Sequence, residues 1–334
     1  MDNRIVLHGT NSNDSMVKNA MTINFIGNFA KGFVGEIADE VMLARELERA
    51  GHTVIRVPRD VWKAYVDGDK VNEDWILPVV ADANIICKWD HFNNQFYAQH
   101  LKKVSKAPVL YWTWDFMDYN EDGFHYKMAS GADLLLTNDG MGRVPGEIKW
   151  RYFPFDVADG DLPVQEFWTK KYNVTFFGSY LQQGDRIEWL TEINKIHPVR
   201  VFSWNHQEWQ KAGFDAHPAV YGEDFCRELA QSEITLGFNV NDYTWGYWSN
   251  RVGKVLSQGG LLLQRYVPGM ELFLRDGADY FNSIDEACEK IQFYLDNEDA
   301  RNRQRMRAFE VGRERFTAKA RVRDLLQLIG GAIK

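Results

Sequence analysis

Two cations one helical turn apart, Arg251 and Lys254, stand in the stretch Ser249-Asn250-Arg251-Val252-Gly253-Lys254-Val255-Leu256-Ser257-Gln258-Gly259-Gly260, which contains no acid. Ser249 or Asn250 serves as a helix cap, and Val252, Val255 and Leu256 share a face at helical spacing. Gly259-Gly260 then turns the chain into the apolar run Leu261-Leu262-Leu263. A helix start already offers free N–H groups and a partial positive charge. With a forked guanidinium and a point-like ammonium added, this stretch suits a diphosphate. The plainer reading is that both cations only face water.

A second strand-to-helix junction has the opposite sign. Gly27-Asn28-Phe29-Ala30-Lys31-Gly32-Phe33-Val34-Gly35-Glu36 fits neither a dinucleotide fingerprint nor a P-loop. Glu36, with Asp39 and Glu40 behind it, puts carboxylates where a phosphate would sit. This junction favours a hydroxyl-bearing ligand, or its acids simply stabilise a helix start. Further polar residues at predicted strand ends are Asp90-His91 and Asp115 with Asp118. A base must reach the proton it removes, so the candidates are Asp90 first, then Asp115, His91 and Glu36. Each is equally a helix-start residue. Asp67-Gly68-Asp69 and Asp159-Gly160-Asp161 match the Asp-x-Asp pattern of metal-using transferases, but both lie in polar loops away from buried strand ends. No metal site is expected.

These groups need a frame, and the apolar pattern supplies one. Short apolar runs at 23–27, 52–57, 83–89, 108–114 and 132–137 alternate with helical stretches, the first being 36–50. A polar, Pro- and Gly-bearing stretch interrupts the rhythm after Pro154, and it resumes at 173–178, 199–204, 219–222, 234–239, 260–264 and 279–282. Such alternation means parallel sheets covered on both faces. The expected organisation is α/β, two Rossmann-like doubly wound domains, 1–155 and 173–334, joined by a linker at 156–172 and facing each other across a cleft. Ligands in such sheets bind beyond the carboxyl ends of the strands. By position, Gly178, Ser179, Tyr180, Arg186, Trp204 and Tyr221 belong to the second domain's ligand edge, with Tyr243, Trp245, Tyr247 and Trp248 forming an aromatic loop before the cationic helix. For any single aromatic, a core role is the commoner use. Arg4 to His8 is a further short strand without an assigned place.

Composition narrows the function. The 334 residues, 45% hydrophobic and 26% charged, fit a globular chain of two domains. A formal charge of -8 argues against a general nucleic-acid binder. Cys87, Cys226 and Cys288 are odd in number and far apart, unlike a disulfide framework or zinc site. No apolar signal segment opens the sequence and no apolar run is long enough to span a bilayer, so a cytoplasmic location is expected. The arginines at 301, 303, 305, 307, 313 and 315 cannot all share one helical stripe and are read as a solvated face.

Ser249-Asn250-Arg251-Val252, the Gly259-Gly260-Leu-Leu-Leu turn, Pro268-Gly269-Met270-Glu271-Leu272-Phe273, Gly277 and Tyr280-Phe281 resemble the C-terminal half of GT-B glycosyltransferases, most closely the spore-maturation-protein-like "glycosyl transferases group 1" family. The resemblance runs from about Asn173 to Leu326. It implies a nucleotide-diphosphate sugar as donor co-substrate, no cofactor and no metal, and a hydroxyl-bearing acceptor: a glycan, a small metabolite or a modified base in phage DNA. It places Gly178, Ser179, Tyr180, Arg186, Trp204, Tyr221, Trp248, Ser249, Asn250, Arg251, Lys254 and Glu271 on the donor side. Where many relatives carry a Glu that holds the donor ribose, this chain has Lys254. A non-catalytic nucleotide- or sugar-binding protein on the same scaffold is the competing reading. A nicotinamide oxidoreductase loses, because no dinucleotide fingerprint follows any strand.

Overall fold

The computed structural model describes residues 20–29, 38–70, 72, 74–113, 123–138, 143–154, 157–162, 171–182 and 184–332. The first half carries β1 (Thr22–Gly27), α1 (Asp39–Arg49), β2 (Thr53–Pro58), α2 (Arg59–Asp67), β3 (Ala83–Cys87), α3 (Phe96–Ser105), β4 (Val109–Trp112), α4 (Phe124–Gly131), β5 (Leu134–Thr137) and β6 (Trp150–Tyr152). The second carries β7 (Tyr172–Phe177), α5 (Arg186–Ile196), β8 (Val199–Ser203), α6 (His206–Lys211), β9 (Asp215–Pro218), α7 (Gly222–Ala230) and β10 (Ser232–Gly237). It continues through α8 (Arg251–Ser257), β11 (Leu262–Arg265), α9 (Met270–Leu274), β12 (Ala278–Phe281), α10 (Ile284–Asp296), α11 (Glu298–Arg315) and α12 (Ala318–Ala332). Two six-stranded sheets result, ordered β2-β1-β3-β4-β5-β6 and β12-β11-β10-β7-β8-β9. Every pairing in both is parallel. This is the doubly wound α/β pair that the alternation of apolar runs predicts.

Parallel strands buried on both faces explain why the runs read as nearly continuous apolar sequence: all five residues of β3 and all four of β4 are buried. One face of the first sheet packs Ile23, Phe25, Ile85 and Leu110 against Leu43 and Leu47 of α1. Val322, Leu325 and Ile329 of α12 join that same cluster. The last helix, within the expected second domain at 173–334, thus packs on the first lobe. The linker is tied in as well. Ala158 N donates to Phe316 O at 2.7 Å and Ala318 N to Ala158 O at 2.9 Å, while Arg45 and Arg49 of α1 reach Asp159 and Asp161 at 2.8 and 2.6 Å.

Three differences from the sequence reading have physical causes. β6 is a three-residue edge strand, too short to register as a periodic run. The strand expected at 219–222 lies four residues earlier, where the polar edge sequence Asp-Ala-His-Pro pairs with β8. The apolar Ala219-Val220 that suggested it faces a cavity instead. The solvated face expected of the α11 arginines holds for Arg303 and Arg307 but not for all of them. Arg301 and Arg305 turn inward, both 2.8 Å from Glu233, and Arg305 also donates to the carbonyls of Ser232 and Glu233. α11 runs so close to α8 that a Cβ on Gly312 would collide with the backbone of Leu256 and Ser257. The helix carrying the cations is therefore seated backbone against backbone. The expected strand at 4–8 lies outside the described residues.

Candidate functional site

The second sheet opens into a cavity of about 560 Å³ beyond the carboxyl ends of β7, β8 and β9, bounded by α7 and α8 and closed by Met42 of the first lobe and Asp159 of the linker. Its charge is set by two arginines. At the end of β7 the chain passes through Gly178, and any Cβ there would meet the Arg251 guanidinium. The glycine thus admits Arg251, whose Nη1 donates to Phe177 O and Nη2 to Phe238 O at 3.2 Å. Arg186, at the first turn of α5 and 4% exposed, donates from Nη2 to Ser179 O at 2.6 Å. Its Nε is buried with no hydrogen-bond partner. Both guanidiniums lie against the ring of Phe176, at 5.7 and 4.9 Å from its centroid.

Neither arginine is ion-paired among the described residues. Burial, and then Arg186 beside it, push the Arg251 guanidinium down to about 9, and burial lowers Arg186 as well. Both remain charged at neutral pH. Two like charges held together out of water are costly, and Asp242 acts on Arg186 while no carboxylate pairs with Arg251 among the described residues, so the arrangement favours an anion. A diphosphate brings enough charge and oxygens for both forks.

Lys254 and Asn250 line the same cavity, but an acid does stand near them. Asp39, in the first turn of α1, lies 2.9 Å from Lys254 Nζ and accepts from Asn250 Nδ2 at 2.8 Å. The absence of a carboxylate within the local sequence is thus offset from across the cleft. Ser249 also lines the cavity, its N–H held by Asn239 Oδ1 at 2.9 Å.

Trp204 and Tyr221 border the opening with ring centroids 5.3 Å apart, and Trp204 is 66% exposed. Burial raises the Tyr221 phenol to about 12. Three other donor-side candidates lie elsewhere. Trp248 is a core residue, 1% exposed and packed on Phe273 and Tyr152, because a large ring beside a short helix is drawn into the adjacent hydrophobic cluster. Tyr180 places its ring edge-on to Trp209 at 4.9 Å and does not line the cavity. Glu271 is exposed on α9, where it bonds the Tyr266 hydroxyl.

On the first lobe, Asp90 is exposed beyond β3 and lies 3.4 Å from Lys88 Nζ, and His91 stacks edge-on to Trp89 at 4.7 Å. Neither lines the cavity. Glu36 and Asp115 lie outside the described residues. At the first-lobe junction stands Glu40, 4% exposed, accepting from the Asn28 N–H at 3.3 Å and packed against Gly27. Burial, reinforced by Asp39, holds its carboxyl above the ordinary value. Of the two Asp-x-Asp sequences, Asp67 accepts from the Tyr97 hydroxyl at 2.9 Å and pairs with Lys63, while Asp159 and Asp161 are taken by Arg45 and Arg49. Sequence reading missed Gln258, which lines the cavity with its side-chain oxygen unpartnered, and no local pattern singles it out.

Residues 170–327 match the model of a family described as glycosyl transferase-like. No curated protein matches the sequence. Among solved structures, the chain is similar to a mutant of T4 phage BGT in complex with UDP-glucose, at TM-score 0.64 and 13% identity, over 94% of this chain and 100% of that one. A glycosyltransferase from Rickettsia africae superposes at TM-score 0.62 and 12% identity, over 95% and 100%. An alpha-glucosyltransferase in complex with UDP and a 13-mer DNA does so at 0.60 and 11%, over 93% and 100%. Two parallel six-stranded sheets meeting at a ligand-sized cavity give this chain the GT-B fold, and its second half matches a glycosyl transferase-like family.

Proposed function

We propose that the protein transfers a sugar from a nucleoside-diphosphate sugar to a hydroxyl group. The observation that carries this is the pair of buried arginines, Arg186 and Arg251, side by side in the wall of the cavity. The acceptor oxygen forms a bond to the anomeric carbon while the bond from that carbon to the diphosphate breaks. The acceptor's proton leaves to a base or to the departing phosphate oxygen. As the anomeric bond breaks, negative charge gathers on the diphosphate, and preplaced guanidiniums bind that charge more strongly in the transition state than before. Fixed cations thus supply the neutralisation that a divalent ion supplies in metal-using transferases, and the reaction is read as metal-independent.

The exposed Asp90, at the carboxyl edge of the first sheet, is the proposed base, with His91 beside it. The nucleotide is read as a uridine diphosphate, since UDP and UDP-glucose are the ligands bound in the similar structures. A modified DNA base is a second reading of the acceptor, favoured by the DNA in the complex of the alpha-glucosyltransferase. Salt-dependent duplex binding tests it, because phosphate contacts weaken as salt rises. The main test is thermal stabilisation by a panel of nucleotide sugars. At least one raises the melting temperature of the wild type, and Arg251→Ala abolishes that shift. No shift with any donor would contradict the proposal. Among the described residues no helix is long and apolar enough to cross a membrane.

A further inference from the structure

Gln258 follows the last residue of α8, seven positions after Arg251 and four after Lys254, and all three line the cavity. Those offsets place them on one face of the helix, with Arg251 and Gln258 about 10 Å apart along its axis at 1.5 Å per residue. That is the reach from the phosphates of a nucleotide to its ribose and base. Around the arginines the wall presents the backbone carbonyls of Phe177, Ser179 and Phe238, and the cavity is lined elsewhere by Phe202, Val220, Phe225 and Cys226.

Gln258 is 4% exposed. Its Oε1 is buried without a partner, and its Nε2 makes no hydrogen bond to the described residues. The neighbouring Ser257 spends its hydroxyl on Lys254 O at 3.2 Å, so it does not serve the amide. A buried carboxamide oxygen without a partner is disfavoured in the unliganded protein, where a hydrophobic residue of the same size would fit without that cost.

We propose that Gln258 is a specificity residue for the nucleoside of the donor, its carboxamide oxygen accepting from a hydrogen-bond donor that the nucleoside presents. This rests on the reading of the cavity as a nucleoside-diphosphate site and adds how one end of that ligand is recognised. The hydrogen-bond donor is a ribose hydroxyl or a base N–H, which share this chemistry and are separated by the ligands used below. A site that offers an unpaired acceptor discriminates strongly against ligands that cannot satisfy it.

Calorimetric titration of wild type, Gln258→Met and Gln258→Leu with inorganic pyrophosphate and with UDP, ADP and GDP tests the proposal. The wild type binds at least one nucleoside diphosphate more tightly than pyrophosphate. Gln258→Met weakens that nucleotide about tenfold to a hundredfold and leaves pyrophosphate unchanged. The unliganded variant melts no lower than wild type, because an unsatisfied amide has been removed. A purely structural glutamine would instead lower the melting temperature and weaken both ligands alike. For the source, 2′- and 3′-deoxynucleotides that bind wild type as weakly as the parent nucleotide binds Gln258→Met assign a ribose hydroxyl. If the N-methylated base does so instead, the base N–H is assigned. Equal nucleotide affinity for wild type and both variants, with pyrophosphate still bound, overturns this inference alone. Failure of the wild type to bind pyrophosphate or any nucleotide overturns the donor-site reading with it.

Discussion

The molecule builds the same strand-to-helix junction twice and gives the copies opposite charge. At the end of β1 the chain turns through Gly27 onto Asp39 and Glu40, and Glu40 is buried against the glycine. At the end of β7 it turns through Gly178 onto Arg186 of α5, and the glycine also makes room for Arg251, which α8 brings in after β10. In both, a glycine makes room for a charged side chain rather than for a phosphate-cradling loop, and that side chain fixes which ligand the edge can accept. The lobes also meet through these charges, since Asp39 of the acidic junction holds Lys254 and Asn250 of the cationic one. A doubly wound scaffold is therefore neutral about its ligand, and on the proposed reading a few residues at the strand ends distinguish a donor side from an acceptor side.

The comparison breaks most readily at the arginines. Arg251→Ala removes charge-assisted bonds worth about 3 kcal/mol together, so donor affinity falls roughly a hundredfold. Arg251→Lys keeps the charge, loses the fork and falls between, as a donor titration of both variants would read. Arg186→Met removes the second cavity cation and weakens the donor about tenfold. Glu40→Gln leaves donor affinity unchanged and acts on the acceptor side, which initial rates at saturating donor measure.

Asp39→Ala sharpens the picture by cutting the tie between junctions. It frees Lys254 and Asn250, lowers stability by about 1 kcal/mol, a shift of roughly 2 °C for a chain of this size, and changes kcat more than donor Kd. The smallest effect is a pH dependence in the loop before α8. Burial holds Asp242 up at about 6, against the pull of Arg265 at 3.2 Å. The folded state keeps a proton there that the unfolded chain has released, so this contribution to stability is present below about pH 4 and is lost as pH rises through about 6. Asp242→Asn flattens that decline, and the gap between the melting temperatures of variant and wild type widens from pH 5 to pH 7.

Much of this was legible in the sequence, and the reasons differ by element. Buried parallel strands announce themselves as apolar runs, so both sheets emerged, while the polar edge strand β9 and the three-residue β6 did not. The arginine at 251 stood out because its local sequence holds no acid. Its counterpart across the cleft was invisible in that role, because the contact of Asp39 with Lys254 joins positions 39 and 254 and needs the fold to bring them together. Trp248 misled for the opposite reason: a ring beside a ligand helix suits a sugar platform and a core equally, and only packing decides. Gln258 has no signature at all until its unpaired amide is placed in a cavity.

The most direct test is a crystal structure of the protein with a nucleoside diphosphate bound. The diphosphate oxygens are predicted within hydrogen-bonding distance of the guanidiniums of both Arg186 and Arg251, with the nucleoside running along α8 toward Gln258. A diphosphate seated instead beside Gly27 and Glu40, or bound outside the cleft with both arginines unliganded, would contradict the account.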